Sequence, residues 1–75
     1  MDATLVVYTR PDCLYSEKLV QDLIRDGVKF REIDLSVYPE RADEAARLAG
    51  GKRVTPVMVD GDNVVVGYNG IGCAF

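Results

Sequence analysis

The sequence predicts an α/β fold, a mixed four-stranded sheet with elements in the order β-α-β-α-β-β. Three observations carry that expectation. The run Thr4-Leu5-Val6-Val7-Tyr8 is β-branched and apolar throughout and reads as a buried strand. Two later segments place apolar or small residues at helical spacing. Finally, Val57-Met58-Val59 and Val64-Val65-Val66 flank Asp60-Gly61-Asp62-Asn63, a strong hairpin signal. Helical crossovers imply parallel pairing and the hairpin antiparallel pairing, so the sheet is mixed.

The elements follow in chain order. Thr9-Arg10-Pro11-Asp12 breaks the first strand. From Cys13 onward Ser16, Leu19, Val20 and Leu23 share one helical face, and Gly27 is placed to cap that helix. Val28 to Leu35 is the second strand, with Phe30, Ile33 and Leu35 as its apolar content. A second helix runs from Pro39, a good first helical residue, to Ala49, and Gly50-Gly51 stops it. Its narrow face is Ala42, Ala45, Ala46 and Ala49, small residues suited to packing closely on something flat. The stretch Gly67 to Phe75 is a glycine-rich tail, too short for a proper helix.

Length and composition bound the function. Seventy-five residues give one domain, 1–75, of which 67–75 is the tail. A chain this short buries only about 60% of its unfolded surface, so its core is marginal. Hydrophobic residues make up 48% and charged residues 28%, the balance of a soluble globular protein. The net charge is −3 with no basic block, which speaks against nucleic acid or an anionic membrane as partner. The start Met1-Asp2-Ala3-Thr4 is no signal peptide and no stretch is long enough to span a membrane, so the cytoplasm is the expected compartment. Histidine is absent, which removes the usual neutral-pH base and the commonest metal ligand. Two cysteines are too few for a secreted disulfide scaffold.

Cys13 is the candidate reactive group. It lies where a strand has ended and a helix begins, so free backbone N–H groups and the helix dipole favour an anion there. A thiolate is such an anion, and its pKa is expected below the free value of about 8.5. Arg10 adds a cation three residues earlier, while Asp12 opposes it unless it turns onto the backbone as the N-cap. The bland alternative is a small buried hydrophobe, common for free cysteine.

The loop Thr9-Arg10-Pro11-Asp12-Cys13-Leu14-Tyr15-Ser16 after a strand resembles the active-site loop of glutaredoxins, of the kind Lys-Pro-x-Cys-Pro-Tyr-Cys. Arg53-Val54-Thr55-Pro56 is similar to the family's Thr-Val-Pro segment, which carries a cis-proline. The likeness covers nearly the whole chain in element order. The sequence is also similar to a short glutaredoxin-like group, the UXX-star (seleno)protein family. That group has selenocysteine or cysteine at the Cys13 position, Ser or Thr at the Ser16 position, and an ending like Gly70-Ile71-Gly72-Cys73. The resemblance implies a thioredoxin-like fold and a thiol–disulfide oxidoreductase. Cys13 would be the nucleophile, attacking protein or small-molecule disulfides. Glutathione or another low-molecular-weight thiol would serve as co-substrate, with no resident cofactor or metal. Pro56, if cis, would present the backbone of Thr55 beside the sulfur, where a peptide or thiol pairs as an added strand. Arg10 would meet a ligand carboxylate, and Tyr15 would pack over the thiol or touch the ligand.

Departures from the pattern matter equally. Ser16 stands where dithiol members have a second cysteine; it cannot resolve a mixed disulfide but can donate a hydrogen bond to the Cys13 thiolate. Gly67-Tyr68-Asn69-Gly70 replaces the Gly-Gly-x-Asp-Asp segment that holds the glutathione amine. The usual C-terminal helix is lacking, which would bare part of a sheet face and invite a homodimer or partner. In the family the stretch after the last strand returns near the active site. Cys73 is therefore expected within the roughly 5.5–6 Å Cα separation of a disulfide, as the resolving thiol in place of Ser16. A tail cysteine without a partner and an intersubunit Cys73–Cys73 bond stand beside that reading.

Two other functions compete. Monothiol glutaredoxins hold an iron–sulfur cluster through a Cys-Gly-Phe-Ser loop; Cys13-Leu14-Tyr15-Ser16 shares only its ends with it. A non-catalytic peptide-binding module would leave the thiol incidental. The carboxylates offer nothing better: Asp60 and Asp62 belong to turn chemistry. Glu40, Arg41, Asp43, Glu44 and Arg47 read as the solvated face of the second helix. Gly50-Gly51-Lys52 follows a helix and precedes a strand, the wrong order for a phosphate loop.

Overall fold

The structure is a computed structural model, and it describes residues 5–75. Strand β1 (Leu5–Thr9) is followed by helix α1 (Leu14–Arg25) and strand β2 (Phe30–Asp34). A single 3-10 turn (Pro39–Arg41) leads into helix α2 (Ala42–Leu48). Then come β3 (Val54–Thr55), β4 (Val57–Asp60), β5 (Asn63–Val66) and β6 (Cys73–Ala74). The main sheet has the order β2-β1-β4-β5, with β1 parallel to β2 and antiparallel to β4. This is the mixed four-stranded sheet that the sequence predicts, with the thioredoxin-like order that the resemblance implies, and among the described residues no helix follows β5. Nor is any described helix long and apolar enough to cross a membrane.

Alternation along the central strands builds two layers of core. On one face Tyr8 and Val57 pack with Leu35, Ala45 and Ala49, and Val6, Ile33, Val59 and Val66 surround them. The alanine face of α2 is thus what lets that helix sit close to the sheet. Val7 points the other way and is fully buried, as is Val57 on the first face. Burying each such valine stabilises the fold by about 1.5–3 kcal/mol. Both helices end by the same device. The N–H groups of Gly27 and Val28 bond the carbonyls of Ile24 and Leu23, and those of Gly50 and Gly51 bond Arg47 and Ala46. Gly27 and Gly50 hold φ of 70° and 72°, the left-handed conformation this ending requires.

Both ends of β2 differ from the sequence reading. Val28 belongs to the α1 cap, so β2 starts at Phe30. Leu35 lies past the strand, although its N–H still bonds Thr9 O at 2.8 Å. The α2 face is not purely solvated either. Glu44 accepts the Tyr8 hydroxyl from across the core and takes Arg41 Nη2 at 2.8 Å. Arg41 and the hydroxyl hold the Glu44 carboxyl below its usual range, while burial and Glu44 together raise Tyr8.

Candidate active site

The loop between β1 and α1 is a tight turn closed by Cys13 N–H on Arg10 O at 3.2 Å. Cys13 is itself the N-cap of α1, with extended φ of −103° and ψ of 111°, and its carbonyl accepts Glu17 N–H at 3.1 Å. Asp12 is therefore not the cap; its exposed carboxylate lies 3.6 Å from Arg10 Nε instead. Cys13 is only 2% exposed and its Sγ lies 3.6 Å from the carbonyl oxygen of Thr55. The peptide bond from Thr55 to Pro56 is cis, as in the motif the segment resembles.

The partner of Cys13 is Cys73. The two are joined by a disulfide across a Cα separation of 5.8 Å, although 60 positions part them in sequence. The tail reaches that place in three steps. Gly67 N–H bonds Pro56 O at 2.7 Å, which starts the return. Tyr68 and Ile71 then exchange backbone bonds of 2.7 and 3.0 Å around Asn69 and Gly70, whose φ values of 52° and 80° form the primed turn of a tight hairpin. The Tyr68 hydroxyl bonds Asp22 and so ties this turn to α1. Finally β6 pairs antiparallel with β3, Thr55 opposite Cys73 and Val54 opposite Ala74.

Close packing holds the two-stranded pairing. A Cβ on Gly72 would sit 2.6 Å from Thr55 O, so the tail can approach β3 this closely only because that residue is glycine. Phe75 N–H bonds Arg53 O at 2.9 Å. The Phe75 ring packs against the core and lies under two guanidiniums, 4.9 Å from Arg53 and 5.9 Å from Arg10.

The remaining candidates fall around this centre. Ser16 is buried, but its Oγ faces the loop, where Arg10 N–H donates to it at 3.4 Å. Tyr15 is half-buried in the first turn of α1, with no side-chain hydrogen bond among the described residues. Arg10 is engaged with Asp12 and the Phe75 ring. Thr55 is fully buried, and its hydroxyl has no hydrogen-bond partner among the described residues. A cavity of about 370 Å³ lies beside Val6, Tyr8 and Val59 and touches neither cysteine. A cleft of about 360 Å³ runs beside Arg10 and Ser16. The sequence reading quoted Gly72 and Arg53 within motifs but gave neither them nor Phe75 a role of their own. It also passed over Asn69-Gly70, although that dipeptide is a strong short-range signal for a hairpin.

The family model for glutaredoxin matches residues 5–65. The chain belongs to the glutaredoxin family. Cys13, Ser16, Thr55 and Pro56 lie within the glutaredoxin match, whereas the Asn69-Gly70 turn and Cys73 lie past its end. A glutaredoxin of Archaeoglobus fulgidus superposes with a TM-score of 0.79 at 26% identity, covering 89% of this chain and 77% of that one. The glutaredoxin-like protein NrdH-redoxin of Escherichia coli, described as having a thioredoxin-like activity profile, superposes with a TM-score of 0.73 at 34% identity over 87% of this chain and 83% of that one. The Gene 56 protein of Mycobacterium phage L5 is 29% identical over 66 residues, 88% of this chain. The chain spans 64% of that relative's length.

Proposed function

We propose that the protein is a thiol–disulfide oxidoreductase in which Cys13 attacks the substrate and Cys73 resolves the intermediate. The observation that carries this reading is the Cys13–Cys73 disulfide, set at the N-terminus of α1 and closed by a tail strand. Membership of the glutaredoxin family and the likeness to NrdH-redoxin support it.

The cycle starts with both cysteines reduced. The Cys13 thiolate, favoured by the free N–H groups of the first helical turn, attacks one sulfur of a substrate disulfide. A Cys13–substrate bond forms, and the other substrate sulfur leaves as thiolate. Cys73 thiolate then attacks Cys13 Sγ, closes the internal disulfide and expels the second substrate thiolate. Two electrons have passed to the substrate. Two external low-molecular-weight thiols of the glutathione type restore the protein. The first attacks Cys73, because Cys13 is 2% exposed and Cys73 half-buried. Cys13 is then the leaving thiolate, and the free N–H groups of the first turn of α1 favour the departing anion. Ser16, held by the loop backbone, cannot serve as resolving group. Protein or small-molecule disulfides are the substrate class.

The test uses the full chain with a chromogenic aromatic disulfide. Wild type should release two aryl thiols per protein and close its internal bond. Cys73→Ser should release one and stall with the other aryl group on Cys13, and Cys13→Ser should release neither at a comparable rate. Two equivalents from Cys73→Ser, or retained fast release by Cys13→Ser, would contradict the assignment.

A further inference from the structure

We infer that the tail is a built-in copy of the substrate, and that the edge of β3 beside Cys13 takes an extended segment of the pattern Gly-Cys-x-aromatic. This rests on Cys13 being the attacking thiolate. A mixed disulfide on Cys13 must place the substrate sulfur close to where Cys73 Sγ now sits. With the tail in place Cys13 is buried, and Thr55 O lies 3.6 Å from its sulfur. The tail therefore displays the contacts that a substrate backbone makes there.

Three of those contacts select among sequences. The residue before the cysteine must be glycine, because a Cβ at Gly72 would meet Thr55 O at 2.6 Å and Thr55 C at 3.4 Å. The residue after it is free, since Ala74 is exposed opposite Val54. The next residue enters a slot roofed by Arg53 and Arg10, where Phe75 packs on the core and its N–H bonds Arg53 O. An aromatic ring gains there from the apolar floor and from the cations above it. Tail and substrate compete for one edge. Resolution by Cys73 is thus a strand exchange: as the new sulfur–sulfur bond forms, the tail replaces the departing segment on β3.

The experiment uses reduced full-length Cys73→Ser, which can form but not resolve the mixed disulfide. Three end-blocked peptides are supplied as homodisulfides: Gly-Cys-Ala-Phe, Ala-Cys-Ala-Phe and Gly-Cys-Ala-Ala. Each Cys13 thiolate exchanges with one peptide disulfide, yielding one Cys13–peptide bond and one free peptide thiol, read by mass after acid quench. Rates are normalised to those with a small free thiol. The first peptide should react about tenfold faster than either variant, and Arg53→Ala should erase most of its advantage over Gly-Cys-Ala-Ala. Equal normalised rates overturn the inference while leaving Cys13 as nucleophile. If the peptides are inert but the aromatic disulfide reacts, the edge takes no peptide and the inference fails alone. If neither reacts, the reading of Cys13 on which it rests has failed.

Discussion

Gly72→Ala isolates the tail strand from the chemistry of either sulfur. The added methyl would lie 2.6 Å from the Thr55 carbonyl oxygen and 3.5 Å from Val54 Cβ. The first neighbour is backbone, so no side-chain rotation relieves the clash. β6 must move off β3, where it pairs at only two positions, and each backbone bond lost costs about 1 kcal/mol net. The closed form is therefore weakened by about 2 kcal/mol, which lowers the equilibrium constant for closing the disulfide about thirtyfold. The open form keeps the main sheet and loses nothing comparable. The assay equilibrates the reduced protein in glutathione redox buffers, quenches with acid, alkylates free thiols and reads the closed fraction by mass. Ala74→Ser, at an exposed site in the same strand, serves as control and should leave the midpoint unmoved. A Gly72→Ala midpoint within about threefold of wild type would refute the claim that close β pairing positions Cys73.

Further outcomes concern stability. Opening the Cys13–Cys73 bond frees a loop of 60-residue separation, so the reduced protein should be less stable to urea by up to about 4 kcal/mol. For a chain of this size that is a large share of the total, and a reduced form of unchanged stability would contradict a cross-link that constrains the unfolded chain. Thr55→Val removes a buried hydroxyl that has no partner among the described residues while keeping its shape, and should raise the urea midpoint by the equivalent of about 1 kcal/mol. Glu44→Gln should alter the acid limb of stability. Arg41 and the Tyr8 hydroxyl lower the folded carboxyl below 4.5, so its contribution is present above that pH and lost as pH falls through the folded value. Wild type should thus lose urea resistance more steeply than Glu44→Gln below about pH 4.5. For Tyr8 the sign reverses. Burial and Glu44 raise its pKa above 10.0, so its contribution holds below pH 10 and is lost at higher pH, and Tyr8→Phe should flatten the alkaline limb.

The main sheet and both helices were legible because each rests on a local pattern. Valine runs, the Ala42-Ala45-Ala46-Ala49 face and the Asp60–Asn63 turn state their periods within a few residues. The place of Cys13 in the fold was legible for the same reason, between a strand and a helical face. What escaped depends on partners far along the chain. β3 and β6 are two residues each and exist only as a pair. Phe75 acquires its place from Arg53, 22 positions earlier, whose carbonyl and guanidinium lie against it. Tyr8 and Glu44, 36 positions apart, meet only because α2 lies across β1. Asp12 and Cys13 compete for the N-cap, and the turn closed by Cys13 N–H on Arg10 O decides it for the cysteine. The Asn69-Gly70 turn alone was available locally, and it is the turn that carries Cys73 back to Cys13.

The pairing of Cys13 with Cys73 as one redox couple is tested most directly by mass. The reduced wild-type chain is oxidised mildly at low concentration, alkylated, weighed intact and digested. A monomer two hydrogens lighter is expected, taking up no alkylating agent and yielding a single cross-linked Cys13–Cys73 peptide. A small-thiol adduct on Cys13 with Cys73 still open to alkylation, or a Cys73–Cys73 dimer, would contradict it.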